Sequence, residues 1–165
     1  MLSPLKSLLL LSFACVIQTV AGLWPIPRNL QTGTTALRLS PSFAINVNVM
    51  NPPTDLMNAV SRAKNAIFSD KLGRLVVGRG ANDTQRIQAA KVLSQLNLSI
   101  TGTRPVKSIS TEAAAPVESR SEGYSLTLPA DGSAASIKAE STLGLLRGMF
   151  LAFVGYVSLY QFFKA

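Results

Sequence analysis

Histidine is absent from this chain, and its single cysteine, Cys15, sits in the first apolar run. Without histidine there is no Ser-His-Asp or Cys-His relay, and the commonest zinc ligand is missing. One cysteine cannot close an internal disulfide, so stability must come from the core. Acidic residues are also scarce, 8 against 16 Lys and Arg, giving a formal net charge of +8. Aromatic residues make up 7% of the chain and do not interleave with the basic ones, which scatter from Arg28 to Lys164. The densest basic stretch, Gly73-Arg74 with Gly78-Arg79-Gly80, lacks the Gly-Lys-Ser/Thr ending of a phosphate loop and forms no stripe suited to a nucleic-acid backbone. The charge therefore reads as a solubility property and nucleic acid is not an expected partner, with an acidic cell-surface or wall polymer as the weaker reading. No apolar run reaches the roughly 20 residues that span a bilayer.

What the N-terminus does have is a processing signal. Lys6 precedes the apolar run Leu8 to Ile17, and small residues follow at Thr19, Ala21 and Gly22, the pattern of a secretory signal peptide over 1–22. Cleavage after Ala21 or Gly22 removes Cys15 and places Leu23-Trp24 at the mature start. The expected localisation is the secretory pathway, ending outside the cell or in a vacuole or lysosome. Two sequons, Asn82-Asp83-Thr84 and Asn97-Leu98-Ser99, fit that route as glycosylation acceptors. Asn82, just after Gly78-Arg79-Gly80, is the stronger of the two, because Asn97 falls in a strand-like run.

The body of the chain reads as α+β. Leu37 and Leu39, then Phe43, Ile45, Val47 and Val49, predict two strands broken at Ser40-Pro41-Ser42. Leu56, Ala59, Val60, Ala63 and Ile67 mark one face of a helix after Pro52-Pro53-Thr54. Leu75-Val76-Val77 reads as a short strand or buried loop. Ile87, Ala90, Leu93 and Leu96 predict a second, shorter helix entered through Asp83 or Thr84, and Leu96, Leu98 and Ile100 begin another strand. Thr103 to Ser121 follows neither period and is expected as a surface loop. Tyr124, Leu126 and Leu128 alternate with polar residues, Pro129 to Ser133 supplies a turn, and the chain returns through Ala135, Ile137 and Ala139. Ser141 or Thr142 then caps a helix carrying Leu143, Leu145 and Leu146. The expected fold is a small antiparallel or mixed β-sheet with helices packed on one face.

Three of these stretches carry a resemblance. Leu23-Trp24-Pro25-Ile26-Pro27, the hairpin Tyr124 to Pro129 with Asp131-Gly132, and Ser141-Thr142-Leu143-Gly144-Leu145-Leu146-Arg147-Gly148 resemble the N-terminal domain of eukaryotic, more closely fungal-type, β-N-acetylhexosaminidases of glycoside hydrolase family 20. The resemblance covers 23–148 and implies an α+β domain that braces a catalytic (β/α)8 barrel of the same chain. It also implies N-acetylhexosamine-containing glycans or chitin oligosaccharides as the parent enzyme's substrates, with no cofactor and no metal. In the family the substrate's acetamido oxygen attacks the anomeric carbon while an Asp-Glu pair of the barrel assists. Such a barrel needs roughly 250 residues, against 165 here.

No catalytic residue is assigned. Asp55, Asp70, Asp83, Glu112, Glu118, Glu122, Asp131 and Glu140 fall in caps, loops and strand ends without a paired motif. Only Arg147 has a counterpart implied by the resemblance, as the arginine of a Leu-Arg-Gly motif that holds sugar hydroxyls through its fork of donors. Read without the resemblance, it is a solvated helix residue. The expectation is thus a secreted, noncatalytic N-terminal hexosaminidase domain, encoded as a truncated product. The apolar tail 149–165 departs from the family pattern after Gly148 and is expected to be translated intron sequence, since Gly-Met-Phe codons can spell a fungal intron start. The alternative is a binding module tethered to a membrane by that tail, and a third reading is a degraded pseudogene product. A membrane partner applies only if the tail is genuine.

Overall fold

The computed structural model describes residues 28–69 apart from 32 and 34, and 85–163 apart from 86 and 87, with backbone alone after 152. The leader over 1–22, Leu23 to Pro27, Leu75 to Val77, Gly78 to Gly80, Asn82 and the carboxylates Asp70 and Asp83 lie outside the described residues.

The elements run β1 (Leu37–Asn48), α1 (Thr54–Ser69), β2 (Lys91–Ile100), α2 (Ile109–Ala113), a 3₁₀ turn (Val117–Ser119), β3 (Tyr124–Thr127), β4 (Ala135–Ala139) and α3 (Thr142–Phe163). The strands form one mixed sheet in the order β1-β2-β4-β3. β1 and β2 pair in parallel, as do β2 and β4, while β3 and β4 form an antiparallel hairpin. The fold is therefore α+β with a mixed sheet, as the periodicities predict.

Register decides which side chains meet. Val47 lies beside Leu98, Leu98 beside Ile137 and Ile137 beside Leu126, so one apolar row crosses the whole sheet. Leu98 and Ile137 are fully buried, and Leu56, Ala59 and Val60 of α1 close over the row with Leu145 and Met149 of α3. Each large side chain so buried is worth about 1.5–3 kcal/mol over exposure. α1 forms where expected, with Asp55 in its first turn favoured by the helix dipole. Asn51, at φ 48°, turns the chain from β1 toward Pro52 and α1, a left-handed conformation that asparagine tolerates.

Three expectations change. Leu37–Asn48 is a single strand, not two: Ser40 to Phe43 form a register shift between the pairs Leu39/Leu93 and Ala44/Gln95. Pro41, which has no amide donor, sits in that irregularity, and the Ser42 amide donates to Ser40 Oγ at 3.1 Å. The second helix is cut short: Gln85, Gln88 and Ala89 are helical, but Leu93 and Leu96 belong to β2. Their three-residue spacing imitates a helix, yet both are buried because the pairing skips at Ser94 and restores them to one face. Ile87 lies outside the described residues.

The stretch Thr103 to Ser121 is more ordered than a plain loop, since it contains α2 and the 3₁₀ turn. Ser108 caps α2 by accepting from the Thr111 amide at 3.1 Å. The hairpin turn closes with the Gly132 amide donating to Pro129 O at 3.2 Å, and Gly132 takes φ 81°. Ser141, rather than Thr142, is the cap of α3, accepting from the Gly144 amide at 2.9 Å. Met149 and Leu151 are buried, so the described part of the apolar tail begins inside the core. No helix among the described residues is long and apolar enough to cross a membrane.

Candidate functional site

A glycosidase centre needs two carboxyl groups free to face a sugar. Among the described residues most carboxylates are committed to holding the fold. Asp55 Oδ2 accepts from the Ser110 amide at 3.0 Å and its hydroxyl at 3.2 Å, tying the start of α1 to α2. Glu112 Oε2 accepts from the Leu143 amide at 2.9 Å and the Thr142 hydroxyl at 3.2 Å, so α2 supplies a negative charge to the N-terminus of α3. Asp131 receives the Ser133 amide at 2.9 Å within the hairpin turn. Glu140 receives the Ser121 hydroxyl at 3.2 Å. Glu118 lies in the 3₁₀ turn. No group of three or more potential metal ligands occurs among the described residues.

The sequence missed the long-range roles of Asp55 and Glu112. Their partners are 55 and 31 residues away, so no local motif announces them. Partial burial pushes the Asp55 carboxyl up, but hydrogen bonds from Ser110 and the Ile109 amide outweigh it and hold the group below its ordinary value. A carboxyl depressed in the folded state contributes stability above its unfolded pKa, and that contribution is lost as pH falls through the folded value. Acid should therefore loosen α2 from α1 below about pH 4. Amide exchange at Ser110 should accelerate there in the parent chain and lose this pH dependence in Asp55→Asn; equal profiles in both would refute the clamp.

Arg147 projects from the second turn of α3, where its guanidinium meets Glu122 Oε2 at 3.3 Å. Both side chains are 39% exposed, which makes the pair a weak surface contact in water. Arg147 Nε is buried without a hydrogen-bond partner among the described residues. Phe150, one turn further and on the same side of the helix, is 53% exposed. This arrangement offers one cation and one aromatic ring beside the β3 edge. Among the described residues it holds no acid-base pair, because Glu122 is the only one of their carboxylates brought to Arg147 and it is already its salt-bridge partner. A sugar-binding role for Arg147 rests on the resemblance alone. Burial pushes the Tyr124 phenol up, keeping it protonated and unsuited to act as a base at neutral pH.

A second depression, about 410 Å³, opens where β2 and β4 end, between Arg104, Lys107, Arg120, Glu112 and Glu140. Its charges are already engaged in part: Arg120 Nε donates to Ala115 O at 2.7 Å, and Glu112 caps α3. The glycosylation candidate Asn97 falls elsewhere, on β2.

Residues 23–150 match the family described as beta-acetyl hexosaminidase like. No curated protein matches the chain.

Proposed function

Because the chain belongs to the beta-acetyl hexosaminidase like family over 23–150, we propose that it acts as a noncatalytic domain of a secreted, eukaryotic and fungal-type β-N-acetylhexosaminidase. The parent activity is removal of terminal N-acetylhexosamine from glycans or chitin oligosaccharides, and the domain's task is to brace the catalytic barrel that performs it. The observation that carries this reading is the commitment of Asp55 and Glu112 to hydrogen bonds that tie α1, α2 and α3 together. Bracing needs a rigid layer, and the α1 and α3 layer over one sheet face supplies it.

The family match begins at Leu23, the residue after the expected cleavage region, which supports Met1 to Gly22 as a leader and delivery into the secretory pathway. Asn82 is then available for N-linked glycan. The membrane-tethered alternative has less support, since α3 places Met149 in the domain core.

The purified chain should not hydrolyse a chromogenic β-N-acetylhexosaminide. Turnover that persists in a clean preparation and vanishes in Glu122→Gln or Glu140→Gln would sink the noncatalytic reading. The same two replacements should leave the fold intact, because each removes only one exposed contact.

A further inference from the structure

The sheet has two unlike faces. α1, α2 and α3 all pack into the one apolar cluster built on Leu96, Leu98, Ile137 and Ala139. Side chains alternate across a strand, so the residues between these point the other way. On that open face the register aligns Asn46, Asn97, Ser136 and Thr127 in one row, and Asn48, Ser99, Lys138 and Ser125 in the next. The two rows are polar throughout, and lysine is their one charged member. Asn48, Thr127, Lys138 and Ser125 are exposed, while Asn46, Asn97, Ser99 and Ser136 are half-buried. Such a face is suited to water or to a hydrated polymer and gives an apolar partner nothing to bury.

Asn97 lies on the central strand of this face and heads the sequon Asn97-Leu98-Ser99. We propose that Asn97 carries an N-linked glycan, which stands on the open face of the sheet; the proposal rests on the secretory reading given above. Three features support it. The acceptor asparagine and the hydroxyl of Ser99 lie on the same face because they are two residues apart on a strand, whereas Leu98 between them fills the core. Asn97 Oδ1 accepts from Asn46 Nδ2 at 3.0 Å, and Nδ2, the atom to which the sugar is joined, has no partner among the described residues. Forming the N-glycosidic bond replaces one hydrogen on Nδ2 by the anomeric carbon of a lipid-linked oligosaccharide, with the lipid pyrophosphate leaving and taking up the displaced proton. Oδ1 keeps its lone pairs, so the Asn46 contact survives the modification. The flanking Ser136, with its small side chain, leaves room for the first sugar. A glycan at this point closes the open face to a second domain.

The test uses the full chain in a eukaryotic secretory host, once with its own leader and once with residues 23–165 behind a leader already proven to work. Thr84→Ala in all samples removes the other acceptor. The expected result is one mass shift removed by a peptide N-glycosidase, conversion of Asn97 to aspartate as that amidase hydrolyses the Asn–sugar amide, and loss of both in Ser99→Ala, which leaves the Asn46–Asn97 contact in place. Luminal protein from the proven leader whose Asn97 peptide is wholly unmodified overturns the proposal. Modification confined to retained, misfolded chains and missing from the secreted protein overturns it too. Modification behind the proven leader together with failure of the native leader to export the chain upholds the site and removes the secretory reading instead.

Discussion

Gly144→Ala should destabilise the chain by about 2 kcal/mol. A Cβ built there would lie 2.5 Å from Gly123 O and 2.9 Å from Ala139 Cβ. The oxygen belongs to the backbone just before β3, and Ala139 is the last residue of β4, so neither neighbour can swing aside. Alanine's better helix propensity, about 1 kcal/mol over glycine, offsets only part of the clash. Gly148, one turn on, is the internal comparison. Its added Cβ would meet Ile137 Cγ2 at 2.7 Å and the Tyr124 ring at 3.2 Å. These are side-chain atoms, which can give slightly where the Gly123 carbonyl of the backbone cannot, and Gly148→Ala should cost less than Gly144→Ala. Urea unfolding of both variants reads the difference as a change in midpoint at constant slope. If Gly144→Ala proves neutral, α3 does not lie this close to the β3–β4 hairpin.

The segment from Glu122 to Gly148, which holds that close approach, was the most legible part of the sequence. The alternation at Tyr124 and Leu126, the turn before Ala135, and the cap at Ser141 are local signals, and the structure keeps each of them. The apolar face of α1 was legible for the same reason: Leu56, Ala59 and Val60 need only the helix period to coincide. Of β2 only the second half was, at Leu96, Leu98 and Ile100, since the spacing of Leu93 and Leu96 depends on how β1 pairs with it across a shift at Ser40 to Phe43. A strand whose partner skips residues loses the two-residue period by which strands are recognised. α2 escaped because five residues give a helix too short to show a face, and because Asp55 and Glu112 hold it in place through partners that local sequence cannot reveal.

The site divides along the same line. The absence of histidine and of a paired acidic motif could be read directly. What could not be read was that the carboxylates serve the fold, since caps supplied across 31 or 55 residues of chain leave no pattern. Nor could the Arg147–Glu122 pair be read, because it joins the approach to β3 to the second turn of α3 only once the hairpin has formed. The two faces of β2 became visible through register alone. Asn97 and Leu98 are neighbours in sequence, yet one stands among polar side chains and the other in the core.

Leu98→Ala should therefore be the most damaging of the simple truncations, costing about 2–5 kcal/mol. Leu98 is fully buried on the central strand, flanked in register by Val47 on one side and Ile137 on the other. Removing its branched end takes away transfer free energy, and it also leaves a void that parallel partners on both sides cannot readily collapse to fill. A domain of this size is commonly stable by only about 5–15 kcal/mol, so the loss is a large share of the whole. Lys138→Ala supplies the control. That side chain is exposed on the opposite face and should change stability by no more than about 0.5 kcal/mol. Were the register wrong by one residue, Asn97 would point inward and Leu98 outward, and Leu98→Ala would be nearly silent. Urea midpoints for the two variants, measured on the full chain under one buffer, decide between a large loss at Leu98 alone and an equal response at both positions, and the second outcome would break the assigned register of β2.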